Sequence, residues 1–110
     1  MKINALRFFS AAAILTLLGV CASSSLAQDA PATYKAKCAG CHGADGKGNP
    51  AMVKSLGVRD FSSSEVQKET DTELIGIIQN GKNKMPSYAK SLKADQIKGM
   101  VAYIRDLAKK

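Results

Sequence analysis

The chain has 110 residues, enough for one domain at most, with a formal charge of +7, three Cys, a single His and no Trp. That excludes a multidomain protein and any site built from a His pair within the chain. A chain this short buries little core of its own and needs a staple, so its Cys and His are the residues to follow.

The first 27 residues read as a leader. Lys2 and Arg7 make a charged start, Phe8 to Val20 is an apolar stretch of 13 residues, and Ser25-Leu26-Ala27 supplies small residues at the −3 and −1 positions of a cleavage site. The apolar stretch is too short for a bilayer span, which needs about 20 residues. The expectation is a secretory signal peptide, residues 1–27, cut after Ala27; the alternative is an uncleaved amphipathic anchor. Leu18-Gly19-Val20-Cys21 loosely resembles a lipoprotein signal, but Val20 is bulky and β-branched where such signals carry a small residue. Cys21 is therefore expected to leave with the leader, and lipidation at Cys21 is the alternative. Removal takes away Lys2 and Arg7 and no acidic residue, so the formal charge falls from +7 for the whole chain to +5 for residues 28–110.

Asp29 is placed to cap a helix with Pro31 in its first turn. That helix is expected to run from Ala30 to Cys41, with Tyr34 on the side of Cys38. Cys38-Ala39-Gly40-Cys41-His42 follows. Two thiols three residues apart share a helix face, so both reach one edge of a porphyrin and can add across its vinyl groups. His42, four residues after Cys38, is on the same face and can bind the iron. A closed zinc site needs four ligands, and beyond these three only Cys21 remains. A thioredoxin-like pair needs a strand-to-helix turn, and no strand pattern precedes Cys38. Covalent haem c is the reading, with the porphyrin making up for the missing aromatic bulk.

Gly43 to Pro50 holds three Gly, an Asn and a Pro in eight residues and reads as a loop. It lacks the Gly-Lys-Ser/Thr ending of a phosphate-binding loop. Ser62 with Glu65 forms one capping box and Thr70 with Glu73 a second. Leu74, Ile75, Ile77 and Ile78 recur at helical spacing, and Gly81 stands at a helix C-cap. Asn80 to Pro86 is a loop. Ile97, Met100, Val101, Ile104 and Ala108 mark one face of a terminal helix, in which Gly99 costs about 1 kcal/mol against Ala and points to close packing. The fold class is all-α, with about four helices around one haem.

A six-coordinate iron needs a second axial ligand, and no second His is present. Met100 lies on an apolar helix face, where Met usually fills core. Met52 follows His42 by only ten residues. Met85 stands in a loop after a helix, with Pro86 fixing the backbone beyond it, and is the expected ligand, a soft thioether that raises the haem potential.

The run from Tyr34 to Gly48, the Asn80–Pro86 loop and Met100-Val101-Ala102-Tyr103-Ile104 together resemble the class I cytochromes c of the small bacterial and photosynthetic type, over essentially all of residues 28–110. The resemblance implies that the first and last helices cross, with Ala30 and Tyr34 meeting Met100 and Tyr103. Ala30 stands where the family often has Gly, and Lys93 where it usually has a Ser or Thr cap. The resemblance also implies that the Pro50 carbonyl accepts the second ring N–H of His42. Tyr88 either lines the haem crevice, bonds a propionate or is an exposed ring.

The expected function is periplasmic one-electron transfer, with both axial positions filled and no site left for a substrate, hence not an enzyme. The alternatives are a haem sensor or peroxidase-like enzyme with a labile Met85, and a lipid-anchored or electron-entry subunit of an oxidase or dehydrogenase. Lys82, Lys84 and Lys90 around the Met85 loop, with Lys35, Lys37 and Lys47 beside the haem motif, would steer docking to acidic redox partners. The alternative is ordinary solubilising charge. A monomer, peripheral to the membrane and without affinity for nucleic acid, completes the expectation.

Overall fold

The first and last helices of the described residues, α1 (Ser25–Lys37) and α6 (Ala94–Ala108), pack against each other and set the frame. The computed structural model describes residues 25–110, with side chains from residue 29 onward. The charged start, the Phe8 to Val20 stretch and Cys21 lie outside the described residues. Among those described, no helix is long and apolar enough to cross a membrane.

Helix α1 begins earlier than its sequence signals suggest: it runs through Asp29, and Pro31 lies inside it. Proline removes one internal hydrogen bond there. Burial offsets the loss, because Ala30 and Tyr34, one turn apart, are both withdrawn from solvent on the side that faces α6. The Tyr34 ring stands 5.2 Å from Tyr103 of α6 and 6.3 Å from Phe61, centroid to centroid. Its hydroxyl donates to the Gly43 carbonyl at 2.6 Å, and burial raises its pKa, so the phenol stays a donor.

The expected continuous helix to Cys41 is broken at one residue. Helix α1 stops at Lys37, Cys38 stands between the helices as the N-cap of the next with φ −119°, and α2 (Ala39–His42) follows. The backbone of Cys41 and His42 still donates to the Cys38 carbonyl, at 3.2 and 2.9 Å. Cys38 and Cys41 therefore keep a one-turn separation.

Helix α3 (Pro50–Leu56) was not expected from the sequence, where Gly-Asn-Pro reads as loop. The same residues start it: the Asn49 side chain accepts from the Ala51 N–H at 3.0 Å, Pro50 takes the first helical position, and Gly57 closes the helix with a left-handed φ of 68°. Helix α4 (Ser64–Lys68) is capped by Ser63 rather than by Ser62, whose N–H and hydroxyl are both taken by the Asp60 carboxylate at 2.8 and 2.6 Å. Helix α5 (Asp71–Asn80) carries the expected Thr70–Glu73 capping box and ends at Gly81. At the start of α6, Gln96 Oε1 accepts the Lys93 N–H at 2.8 Å. The fold is all-α as expected, with six helices among the described residues where about four were expected.

The core gathers where α5 meets α6. Leu74 and Ile78, four apart on α5, pack with Ile97, Met100, Val101, Ile104 and Leu107 of α6 and with Phe61, Val66 and Leu92. Leu107, and not the half-buried Ala108, completes the buried face of α6. Arg105 ties the α4–α5 junction to this helix. Its Nε and Nη2 donate to Asp71 Oδ1 at 3.1 and 2.9 Å, Nη2 also to the Glu69 carbonyl at 2.6 Å, and Nη1 to Gln67 at 3.2 Å.

Candidate cofactor site

Cys38, Cys41, His42 and Met85 all line one cavity of about 310 Å³. Its walls are largely apolar, with Ile77 and Ile78 from α5 and Met100 and Ile104 from α6. Met85 stands on a tight turn in which Lys82 and Met85 exchange two backbone hydrogen bonds, 3.2 and 2.9 Å long. Of the three Met considered as ligand, Met52 is not among the lining residues, whereas Met85 and Met100 are. Met100 is fully buried in the α6 core.

Both thiols are free, Cys38 half-buried and Cys41 exposed. Burial pushes the Cys38 thiol up, Lys37 pulls it back in part, and Cys41 adds to the rise. The His42 ring stacks on Phe61 with centroids 4.8 Å apart and planes 27° from parallel. Burial, reinforced by the Arg59 cation, holds the His42 pKa below its ordinary value. The imidazole is thus kept neutral, the form that binds a metal. Phe61 and Arg59 were not picked out from the sequence as parts of this site. Their role depends on the loop that folds them over His42, for which the residue pattern gives no signal.

His42 Nδ1 is buried and has no hydrogen-bond partner among the described residues. The Pro50 carbonyl therefore does not fill the expected role. Pro50 opens α3, so its carbonyl is directed along the helix axis toward the fourth residue on. Tyr88 lines the cavity, and its hydroxyl donates to the Lys37 carbonyl at 3.1 Å, so it is neither a free exposed ring nor an uncommitted propionate donor. Of the six lysines expected to form a rim, Lys37, Lys82 and Lys84 border the cavity; Lys35, Lys47 and Lys90 do not. Arg59 also borders it, held by Glu69 through two bonds of 3.1 and 3.2 Å and by Glu65 at 3.4 Å.

The donor set has a definite chemistry. Among the described residues no three His, Cys, Asp or Glu converge on a common metal position. Two thiols, one neutral imidazole and thioether sulfur around an apolar cavity suit a large flat macrocycle that brings its own iron, and they do not suit a bare cation.

Residues 25–104 match the family described as cytochrome c oxidase, cbb3-type, subunit III. The chain is also 32% identical over 108 residues to a cytochrome c6 of Thermosynechococcus vestitus, covering 94% of each chain. It belongs to the class I cytochromes c. A second cytochrome c6, from Leptolyngbya boryana, is 32% identical over 77 residues, which span 70% of this chain and 87% of that one. The solved structure of the KustC0563 c-type cytochrome superposes with a TM-score of 0.66 at 30% identity, over 72% of this chain and 96% of the other. The cofactor of this cytochrome is accordingly haem c, and its general role is electron transfer with redox partners. The apolar cavity with two thiols and a neutral imidazole in its wall fits that cofactor.

Proposed function

We propose that the cytochrome is a periplasmic one-electron carrier formed by residues 28–110 after removal of a 1–27 leader. Cys38 and Cys41 hold the haem through thioether bonds, and His42 and Met85 ligate its iron. The observation that carries this reading is the meeting of both thiols, the single His and Met85 in the wall of one cavity. The bound haem supplies a one-electron iron couple. The chain supplies the rest: burial keeps His42 neutral, the Lys82–Met85 turn fixes the thioether, and apolar side chains from α5 and α6 exclude water, which favours the uncharged thioether ligand and a high potential.

With two protein ligands on the iron, no coordination position is left for a substrate, which supports a carrier and argues against an enzyme. Lys37, Lys82 and Lys84 at the cavity mouth support docking to partners with acidic surfaces. The carrier acts as a monomer, peripheral to the membrane, and takes no part in nucleic-acid binding.

The test is spectroscopic. Protein matured with a cytochrome c assembly system should carry one haem that resists acid–organic extraction, and a Cys38→Ser/Cys41→Ser variant should lose it. The oxidised protein should show the weak sulfur–iron band near the red edge of the visible. Met85→Ala should abolish that band, and Met52→Ala and Met100→Ala should keep it. Loss of the band in Met100→Ala alone would move the ligand to α6 and end this assignment.

The description of the matching family supports a second reading, in which the cytochrome is an electron-entry subunit of a terminal oxidase. Recovery of the haem in a stable oxidase complex, rather than in a free small protein, would select it.

A further inference from the structure

Tyr88 stands three residues beyond Met85, and its two donors reach the ends of two different helices. The backbone N–H donates to the Ile78 carbonyl in the last turn of α5 at 3.0 Å. The phenol donates at 3.1 Å to the carbonyl of Lys37, the last residue of α1 and the neighbour of Cys38. Both acceptors belong to the carbonyls that a helix end leaves without an internal partner.

Among the described residues, the other hydrogen bonds from this turn to a helix all run to α5. The N–H of Gly81 bonds Ile77 at 2.8 Å and that of Ala89 bonds Gln79 at 3.3 Å, while the Ser87 hydroxyl also donates to Gln79. A Cβ on Gly81 would lie 2.6 Å from the Met85 carbonyl oxygen, so the turn folds directly back on the helix end. Toward the segment that carries the thiols, the situation differs. Among the described residues, the Tyr88 hydroxyl makes the only hydrogen bond between positions 81–92 and positions 29–43. Burial raises the pKa of this phenol, with the two cysteines adding, so it remains a donor.

We propose that Tyr88 is a positioning residue for Met85: its hydroxyl clamps the Met85 turn to the end of α1 beside Cys38 and restrains the thioether from leaving the iron. The proposal rests on the reading that Met85 would ligate the haem iron. Loss of one such hydrogen bond changes the population of the opened turn by about fivefold.

Imidazole is the probe, titrated into the oxidised holoprotein, where it competes for the position that Met85 vacates. Tyr88→Phe keeps the ring and removes only the hydroxyl. It should retain the sulfur–iron band without imidazole yet bind imidazole about fivefold more tightly than the unaltered protein, by the worth of one hydrogen bond. Tyr103→Phe, which removes a phenol that stands beside Tyr34 on α6, should stay within about twofold of the unaltered protein on the same scale. In a Met85→Ala background there is no thioether to displace, and Tyr88→Phe should leave imidazole affinity unchanged. Equal affinity for Tyr88→Phe and the unaltered protein overturns the clamp alone, and so does an equal gain in the Met85→Ala background. Retention of the sulfur–iron band in Met85→Ala overturns the ligand assignment, and the clamp with it.

Discussion

At the scale of single residues, the site depends on how a few backbone positions let side chains approach His42. Gly46 is the clearest. It has φ +77°, and a Cβ there would lie 2.7 Å from Phe61 Cδ2, while its carbonyl accepts the Phe61 N–H at 2.9 Å. The Gly-rich loop is thus the seat of the ring that stacks on His42, a purpose that its composition alone does not reveal. Gly46→Ala combines a left-handed φ with an overlap against a buried ring, and should destabilise the holoprotein by about 2 kcal/mol. Thermal unfolding followed at the haem absorption will measure it; an unchanged midpoint would mean that Phe61 has room to move. The unpartnered Nδ1 of His42 belongs to this scale too. With no acceptor for that nitrogen among the described residues, the Phe61 stack is what orients the ring.

At the scale of helices, the decisive contact is where α4 meets α5. Glu69 caps α4, and it is held from two sides: its carboxylate by Arg59, beside the cavity, and its carbonyl by Arg105 of α6. Arg105 reaches Gln67 and Asp71 as well, so one side chain fastens two short helices to the terminal one. Exposed ion pairs are worth little, but here the Arg105 side chain is half-buried and also donates to a backbone carbonyl. Arg105→Ala should cost about 2 kcal/mol in denaturant unfolding. Arg105→Lys should recover less than half of that, because an ammonium cannot span three acceptors. Full recovery by Lys would show that charge alone matters at this junction.

At the scale of the whole molecule, the charge distribution sets how partners approach. Lys37, Lys82 and Lys84 border the cavity, whereas Lys109 and Lys110 sit at the far end of α6, with Lys109 3.7 Å from Asp106. Exposed charges more than about 8 Å apart are screened at physiological salt. Electron transfer to an acidic partner should therefore slow as salt rises, chiefly in the association rate. Charge reversal at Lys82 and Lys84 should flatten that dependence, and reversal at Lys109 and Lys110 should do much less. Equal effects from the two pairs, read by stopped-flow at several salt concentrations, would show that net charge acts without orientation.

The sequence by itself determined the family resemblance, the helical class and the residues proposed for the site. Cys38, Cys41 and His42 stand out by spacing as the proposed haem motif, Met85 as the expected ligand by comparison with Met52 and Met100, the helical class by the periodicity of α5 and α6, and the Thr70 cap by a local rule. These are short-range signals, fixed by residues within a turn or two of one another. Tertiary structure decided what crosses between segments. It extended α1 through Pro31 because burial of Ala30 and Tyr34 outweighs a lost hydrogen bond. It moved the cap from Ser62 to Ser63 because Asp60 claims Ser62. It brought Phe61 onto His42 and Tyr88 onto Lys37, 51 residues away in the chain. No periodicity encodes such pairings, since each depends on where a loop returns after the core has formed.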